Sequence, residues 1–180
     1  MTLSLEPVSK AHQKQAFDCG NQILNEYFKF YAFKNDQLSI GKTFIALNEL
    51  NTVTGYMTLA NAQIEADCLP ESLRAKLPRY PIPAFRIAKL AVDVRYQGSG
   101  VGSWLLRLAL EKALSVSETV GIYAVIVDAI DEKAKSFYEK YGFMPFSEYP
   151  LALFLPVTTI ASAAGTLRSI SRQAGLDLEA

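Results

Sequence analysis

The sequence predicts an α/β fold in which helices cover a layered β-sheet. Strand-like and helix-like segments alternate through the second half of the chain, an order typical of such sheets. One of these segments, 121–129, reads GIYAVIVDA, an apolar and β-branched run that suits a strand buried on both faces. The length of 180 residues, with 50% hydrophobic residues, is enough for one domain with its own core.

The first half of the chain predicts a strand, a helix and a pair of strands. Weak alternation over 2–9 indicates the first strand. The stretch 17–36 carries apolar side chains at helical spacing, and Asn21 can cap the helix. Residues 42–65 are rich in Thr, Val, Tyr and Phe, and they predict two strands joined by a turn around Asn51.

The second half continues the alternation of helices and strands. The predicted elements are one or two helical turns within 69–78, a strand at 84–94, a helix at 104–118, a strand at 121–129, a helix at 131–141 and strands at 143–146 and 149–156. Gly142 suits the left-handed position that ends a helix. Residues 1–156 are therefore predicted to form one domain, and 157–180 a C-terminal extension that is a marginal helix or disordered.

Composition and charge argue against several classes of function. The formal net charge is zero and the pI is near 6.6, unlike a protein that coats nucleic acid by bulk electrostatics. The single histidine, His12, cannot build a metal cluster, and the isolated Cys19 and Cys68 fit neither a metal site nor a redox pair. No apolar run approaches the roughly 18 residues of a membrane span, and the start lacks a secretory pattern. We therefore expect a cytoplasmic protein that uses no metal and no membrane.

The segment 96–106, YQGSGVGSWLL, places three glycines between a predicted strand and a predicted helix. Glycine permits a positive φ and allows another group to approach the backbone closely. The start of a helix offers N–H groups without helical partners and the positive end of the helix dipole. Together these features predict an anion pocket that suits a phosphate or a pyrophosphate.

Three phosphate-binding patterns compete for this segment. A P-loop requires Gly-Lys-Ser/Thr, and the segment has no lysine. A dinucleotide fingerprint fits Gly98 and Gly100, but its third glycine falls on Ser103, and the segment follows the fourth predicted strand. The third pattern, Q-x-x-G-x-G, is satisfied by Gln97, Gly100 and Gly102.

A second pattern lies about 30 residues further along the chain. It reads N-x-x-A-x-x-x-Y-x-x-x-G-F with Asp in place of Asn, and its residues here are Asp131, Ala134, Tyr138, Gly142 and Phe143. With both patterns in the expected elements, the chain resembles the GNAT superfamily of N-acetyltransferases. Stretches such as FDCGNQILNEYF, LPRYP and YPLALFLP extend the resemblance, over about 1–160, to the TacT-like toxins of type II toxin–antitoxin modules.

The resemblance implies a GNAT acyl-CoA N-acyltransferase fold, a mixed and mostly antiparallel sheet with splayed central strands. It implies acetyl-CoA as co-substrate, with the fourth strand along the pantetheine arm and the glycine segment around the pyrophosphate. The implied cofactor-binding residues are Leu90, Ala91, Val92, Gln97, Gly98, Ser99, Gly100, Val101, Gly102, Ser103, Asp131 and Phe137. Asp131 also suits a purely structural role as a helix N-cap.

Tyr138 is the implied catalytic residue, which protonates the departing thiolate. A phenol with an ordinary pKa near 10 keeps its proton at neutral pH, as this role requires. Tyr138 also lies on an apolar helical stripe with Ala134, Phe137 and Tyr141. Periodicity alone therefore predicts a core residue at this position.

The sequence offers no general base for the acceptor amine. The strand over 84–92 carries no carboxylate, and Asp93 lies at its end beside the glycine segment. At pH 7, deprotonating a lysine side chain costs about 4–5 kcal/mol, whereas an α-amine costs about 1 kcal/mol. A site without a base is therefore better matched to an α-amine.

TacT-like toxins acetylate the α-amine of aminoacyl-tRNA and so block translation. The resemblance implies this activity, a ribbon-helix-helix antitoxin as a partner and a homodimer. One alternative is a housekeeping acetyltransferase of a small amine or a protein N-terminus. Another is a domain that binds CoA or tRNA without turnover.

A strip of basic residues without an acid runs from 72 to 92. Its members are Arg74, Lys76, Arg79, Arg86 and Lys89, and Lys29, Lys34 and Lys42 could add to it. The strip suits either contacts to tRNA phosphates or an ordinary solvated loop and strand edge. The pI near 6.6 is lower than a tRNA-handling protein leads one to expect.

Overall fold

The computed structural model describes residues 1–164 and confirms the α/β class. The strands are β1 (Ser4–Pro7), β2 (Lys42–Leu47), β3 (Val53–Ile64), β4 (Ile82–Val92), β5 (Ala124–Asp128), β6 (Met144–Pro145) and β7 (Ala152–Pro156). The α-helices are α1 (Lys10–Gln13), α2 (Gln22–Glu26), α3 (Ala32–Gln37), α4 (Glu71–Arg74), α5 (Val101–Ser117) and α6 (Glu132–Glu139). The strands follow the order β1-β2-β3-β4-β5-β7-β6, and the pairs β1–β2, β2–β3, β5–β7 and β6–β7 are antiparallel.

The chain divides into two compact units. The first comprises Met1–Gln63 and Phe85–Glu111, and the second comprises Ile64–Ala84 and the described residues from Lys112 onwards. Within residues 1–164, no helix combines the length and the apolar character that crossing a membrane requires.

The core of the first unit forms where the helices near the N-terminus pack on β2 and β3. Phe17, Phe28 and Tyr56 meet there, with ring centroids 4.8–5.5 Å apart. Tyr56 is fully buried, and its hydroxyl donates a 2.7 Å hydrogen bond to the carbonyl of Leu24 on α2. This bond satisfies the one polar group of the ring and fixes α2 against β3.

The helical stretch predicted within 17–36 is present but is not uniform. Its cap is confirmed, because Asn21 Oδ1 accepts the N–H of Leu24 at 3.1 Å. The five residues Tyr27–Tyr31 between α2 and α3 form a π-helical turn, which periodicity did not predict. Gln13, at the end of α1, donates its side-chain N–H to the carbonyl of Phe28 at 2.8 Å and so braces this turn.

In the second unit, β5 pairs along its whole length with β7, and α6 ends at a left-handed glycine. Gly142 has a φ of +91°, as its position in the sequence predicts. Its N–H donates to the Glu139 carbonyl, and the N–H of Phe143 donates to the Tyr138 carbonyl. This pair of bonds is the Schellman pattern, which satisfies the last carbonyls of the helix.

The predicted C-terminal extension is partly described. Residues 157–164 are helical and follow β7 directly, with Val157 and Ile160 buried. The remainder of the extension, 165–180, lies outside the described residues. The domain boundary at residue 156 stays a prediction.

Candidate functional site

The glycine segment forms an open loop between β4 and α5, preceded by a 3-10 turn at Val94–Tyr96. Gly98 and Gly100 have φ values of +77° and +91°. Among the described residues, a Cβ added to either glycine would have no atom within 4 Å beyond the glycine itself and its two chain neighbours. Both glycines are therefore required by backbone conformation, while the space above them stays free for a ligand.

The first turn of α5 supplies hydrogen-bond donors at the end of this loop. The first bond within the helix runs from the Trp104 N–H to the Gly100 carbonyl at 3.0 Å. The N–H groups of Val101, Gly102 and Ser103 precede that bond, so the helix itself offers them no partner. The first turn carries no acidic residue, which leaves the positive end of the dipole uncompensated. This arrangement fits a diphosphate.

Close packing on β3 fixes where β4 ends and α5 begins. A Cβ on Gly55 would lie 2.8 Å from the Ala91 carbonyl oxygen, 3.1 Å from Leu105 and 3.2 Å from Val101. Only a glycine therefore allows β3 to approach the loop this closely. Sequence reasoning did not single out Gly55, although an isolated glycine inside a strand pattern is a recognised sign of close backbone approach.

Two predicted ligand side chains are engaged within the protein. The side-chain N–H of Gln97 donates to the carbonyls of Cys19 at 3.0 Å and Val92 at 2.9 Å. Ser99 donates both its hydroxyl and its backbone N–H to the Tyr96 carbonyl. The side chains of Gln97 and Ser99 therefore shape the loop, and contact of either residue with a cofactor stays a prediction. The N–H groups at the start of α5 are donors that could bind a diphosphate.

Asp93, the carboxylate at the end of β4, is part of the scaffold. It is 1% exposed and accepts N–H groups from the Asp18 backbone, the Arg95 backbone and the Arg95 guanidinium. Burial alone would raise its pKa, but the hydrogen bonds from Arg95 and Asp18 outweigh burial and hold the pKa below its usual range. An ionised carboxylate with this many donors is a poor general base, in agreement with the sequence analysis.

Tyr138 lies on α6 with its ring 7% exposed, between Phe137 and Phe143. Burial raises its pKa to about 12. Its hydroxyl has no hydrogen-bond partner within residues 1–164 and is not among the fully buried polar atoms there, so it keeps some contact with solvent. The buried Tyr56 differs, because its hydroxyl is satisfied by a backbone carbonyl.

Asp131, another predicted residue of the second unit, is the N-cap of α6. It is exposed, and its carboxylate accepts the N–H of Ala134 at 2.8 Å, which confirms the predicted capping role. Phe137 is half-buried, with its ring against Tyr138 and Tyr141. Contact of Asp131 or Phe137 with a cofactor stays a prediction.

The predicted basic strip is divided between the two units. Its exposed members Arg74, Lys76 and Arg79 lie in the second unit, and the half-buried Arg86 and Lys89 lie in the first. Lys89 Nζ lies 5.2 Å from the centroid of the Tyr27 ring and donates to the Ala88 carbonyl. Lys89 is therefore less available to a phosphate than its exposed counterparts.

The additional lysines are not equivalent. Lys42 Nζ lies 3.4 Å from a carboxylate oxygen of Asp36, so its charge is largely balanced. Lys29 and Lys34 are exposed, and Lys29 Nζ lies 5.3 Å from the centroid of the Phe30 ring. Contacts of all these residues with tRNA stay a prediction.

Comparisons with known proteins agree with this geometry. The family model described as acetyltransferase (GNAT) domain matches residues 39–145. A protein of Sinorhizobium fredii (strain NBRC 101917 / NGR234) named "Probable toxin TacT" is 31% identical over 171 residues, which cover 89% of this chain and 94% of the relative.

Two solved structures are also similar over nearly the whole chain. AtaT complexed with acetyl-methionyl-tRNAfMet has a TM-score of 0.81 and 31% identity, covering 90% of this chain and 99% of that one. A Tyr→Phe mutant of the AtaT toxin, bound to the C-terminus of the antitoxin AtaR and acetyl-CoA, has a TM-score of 0.74 and 28% identity, covering 91% and 98%. The family match takes in β3, β4, the glycine loop and Tyr138, and we conclude that this chain belongs to the GNAT acetyltransferase family.

Proposed function

We propose that this protein transfers the acetyl group of acetyl-CoA to the α-amine of aminoacyl-tRNA and thereby acts as a toxin that blocks translation. The observation that carries the chemistry is the state of the Tyr138 phenol. Its ring is buried, its raised pKa keeps it protonated at neutral pH, and its hydroxyl has no hydrogen-bond partner among the described residues. A tyrosine hydroxyl that contacts solvent and has no partner among residues 1–164 can donate a hydrogen bond to a bound ligand. The sulfur of the acetyl donor would supply that partner.

The glycine loop is the proposed site for the diphosphate of acetyl-CoA. The N–H groups of Val101, Gly102 and Ser103 would bind it, and the positive φ of Gly98 and Gly100 would keep side chains away from it. The backbone of Leu90, Ala91 and Val92 at the end of β4 would hold the pantetheine arm. Bound there, acetyl-CoA supplies the thioester whose acetyl group the amine accepts.

The proposed acceptor is an α-amine, because the carboxylate at the end of β4, Asp93, is a poor base. Its oxygens accept hydrogen bonds from Arg95 and from the Asp18 backbone, and these bonds lower its pKa. An α-amine has a pKa of about 7.7–8.0, so about a tenth of it is already neutral at pH 7, whereas a lysine side chain with a pKa of about 10.4 is neutral in less than about a thousandth of its copies. The similarity to a toxin solved with acetyl-methionyl-tRNA supports a charged tRNA as the carrier of that amine.

The similarity to toxins solved with an antitoxin supports a protein partner as well. We expect a small antitoxin of the ribbon-helix-helix type and a homodimeric toxin acting in the cytoplasm, where charged tRNA and acetyl-CoA occur. The exposed Arg74, Lys76 and Arg79 are proposed as contacts to tRNA phosphates. Loss of these charges should weaken binding of every charged tRNA to a similar degree.

The test is acetylation of charged tRNA by the purified protein, followed by mass spectrometry of the released aminoacyl-adenosine. Tyr138→Phe should reduce kcat by about 10²–10³-fold, the usual cost of removing one hydrogen-bond donor to the charge that develops in the transition state. Its melting temperature should stay close to that of wild type, because the deleted hydroxyl has no partner among residues 1–164. In a host strain, expression of wild type should arrest growth and Tyr138→Phe should not.

Tyr56→Phe is the matched control, since it also deletes a phenol from a buried ring. It removes the 2.7 Å bond to Leu24, so stability should fall by about 1 kcal/mol while kcat is retained. Full activity of Tyr138→Phe would overturn the catalytic assignment. Saturable turnover of a small amine, with charged tRNA untouched, would support the housekeeping alternative. Binding of acetyl-CoA without any product would support a domain without turnover.

A further inference from the structure

We propose that residues 16–20 hold the glycine loop, the proposed acetyl-CoA site, in shape. We call these residues the Asp18 turn. The positioning residue that acts through this turn is Asn25 on α2. The inference rests on the proposed binding of acetyl-CoA at the glycine loop. It adds a residue outside that loop that determines how tightly acetyl-CoA binds.

Four hydrogen bonds join the Asp18 turn to the residues that follow β4, across more than 70 positions of sequence. The Asp18 N–H donates to Asp93 Oδ2 at 3.2 Å, and the Asp18 carbonyl accepts the Val94 N–H at 2.8 Å. The Arg95 guanidinium donates to the Ala16 carbonyl at 3.3 Å, and the Gln97 side-chain amide donates to the Cys19 carbonyl at 3.0 Å. From its first residue to its fourth, the turn is therefore bonded to the residues that lead from β4 into the glycine loop.

Gln97 is the central connection between the two segments. Its single side-chain nitrogen spans the carbonyl of Val92 at the end of β4 and the carbonyl of Cys19 in the turn. On its open side the loop has no protein atom within 4 Å of the Cβ positions of Gly98 and Gly100. The contacts that hold the loop in shape before a ligand arrives therefore include those to the Asp18 turn.

One side chain of α2, that of Asn25, holds the Asp18 turn in place. Asn25 donates its side-chain N–H to Asp18 Oδ1 at 2.8 Å and accepts the Cys19 N–H at 2.9 Å. Asp18 Oδ1 also accepts the N–H of Gly20, whose φ of +82° closes the turn. The hydrogen bonds from Gly20 and Asn25 lower the pKa of Asp18, which indicates that the turn holds the carboxylate in its charged form.

Acetyl-CoA binding and the position of α2 should therefore be coupled. A loop that is already ordered loses less conformational freedom on binding, so contacts that order it increase affinity. The coupling is reciprocal, and bound acetyl-CoA should protect the backbone N–H groups of residues 18–25 from hydrogen exchange. Asn25 touches the turn through both of its polar atoms, so Asn25→Ala removes both contacts together.

The test is isothermal titration of acetyl-CoA into the purified full chain, combined with steady-state kinetics. Asn25→Ala should raise the Kd and the KM for acetyl-CoA by about 5-fold or more, the lower end of typical coupling, with kcat within 2-fold of wild type. Gln97→Ala should raise the Kd as well, and the double variant should fall short of the product of the two effects. Acetyl-CoA should protect residues 18–20 from exchange in wild type and should protect them less in Asn25→Ala.

Two control variants separate positioning from general stability. Gln22→Ala alters the same helix at an exposed bond to Glu26 and should leave the Kd unchanged. Thr58→Val breaks the buried 2.8 Å bond to Thr43 between β2 and β3, and it should lower the melting temperature without changing the Kd. An equal rise in Kd for Thr58→Val and Asn25→Ala would overturn the inference.

The outcomes also distinguish this inference from the function on which it rests. Failure of wild type to bind acetyl-CoA would overturn the proposed function. Normal binding by wild type together with an unchanged Kd for Asn25→Ala would overturn only the role of Asn25 and the Asp18 turn.

Discussion

Replacing Gly100 with alanine tests whether the glycine loop is the diphosphate site. Gly100 has a φ of +91°, a conformation that costs an L-residue about 1–2 kcal/mol. Beyond its chain neighbours, the added Cβ meets no atom of residues 1–164 within 4 Å, so no clash there adds to this strain. For a protein of this size, the melting temperature should therefore fall by about 2–8 °C.

The effect on ligand binding should be larger than the effect on stability. The new methyl group would stand in the open space that the diphosphate is proposed to occupy, next to the free N–H groups of Val101 and Gly102. We expect the Kd for acetyl-CoA to rise by at least 10-fold, which corresponds to about 1.4 kcal/mol. Calorimetric titration and thermal unfolding on the same preparation measure the two effects separately.

Gly142→Ala is the matched control for backbone strain. Gly142 also has a φ of +91°, and its Cβ would lie at an ordinary contact distance of 3.6 Å from Leu155. This variant should lose a similar amount of stability and bind acetyl-CoA like wild type. If Gly100→Ala keeps the wild-type Kd while both variants lose the same stability, the loop does not hold the diphosphate and the reasoning is refuted.

Three further predictions follow from individual contacts. Gln13→Leu removes the donor to the Phe28 carbonyl in the π-turn, so the free energy of unfolding measured in urea should fall by about 1 kcal/mol. An unchanged urea midpoint would contradict this bracing role. Because burial raises the pKa of Tyr138 to about 12, its contribution to stability is complete below about pH 10 and is lost as pH rises towards 12. Unfolding at pH 9, 10 and 11 should therefore show a weaker pH dependence in Tyr138→Phe than in wild type. The kcat/KM for charged tRNA should rise with pH up to about 8, because the α-amine loses its proton over that range. A fall in kcat/KM between pH 8 and 9 would argue against so high a pKa for Tyr138.

Much of the fold could be predicted because its elements follow local rules. The caps at Asn21 and Asp131 and the left-handed Gly142 are set by the chemistry of one residue and its immediate neighbours, and all three are found in the structure. The π-turn at Tyr27–Tyr31 was not predicted, because its brace comes from Gln13 on a separate helix. Periodicity reports which side chains are apolar, but it carries no information on such a distant hydrogen bond.

The candidate site shows the same division between local and distant information. The glycine spacing predicted the loop, whose positive φ values at Gly98 and Gly100 agree with an anion site. The resemblance implied that Gln97 contacts the cofactor, and that contact stays a prediction. In the structure the side chain of Gln97 donates to the carbonyls of Cys19 and Val92. A motif reports which residue type occurs at a position, and a glutamine that shapes a loop satisfies it as well as one that contacts the phosphate.

The pKa of Tyr138 limits what its hydroxyl can do in the reaction. With a pKa of about 12 it holds its proton more tightly than a thiol of pKa about 8.5, a difference of about 5 kcal/mol. Complete transfer of the phenolic proton to a departing thiolate is therefore unfavourable, whereas donation of a hydrogen bond to that charge costs no proton transfer. In the proposed reaction, the attacking amine would become strongly acidic as the C–N bond forms and the C–S bond breaks, and its surplus proton would be the one that reaches the sulfur. A buried phenol that stays neutral would suit the role of hydrogen-bond donor, because it would stabilise charge on the sulfur without competing with the amine for a base.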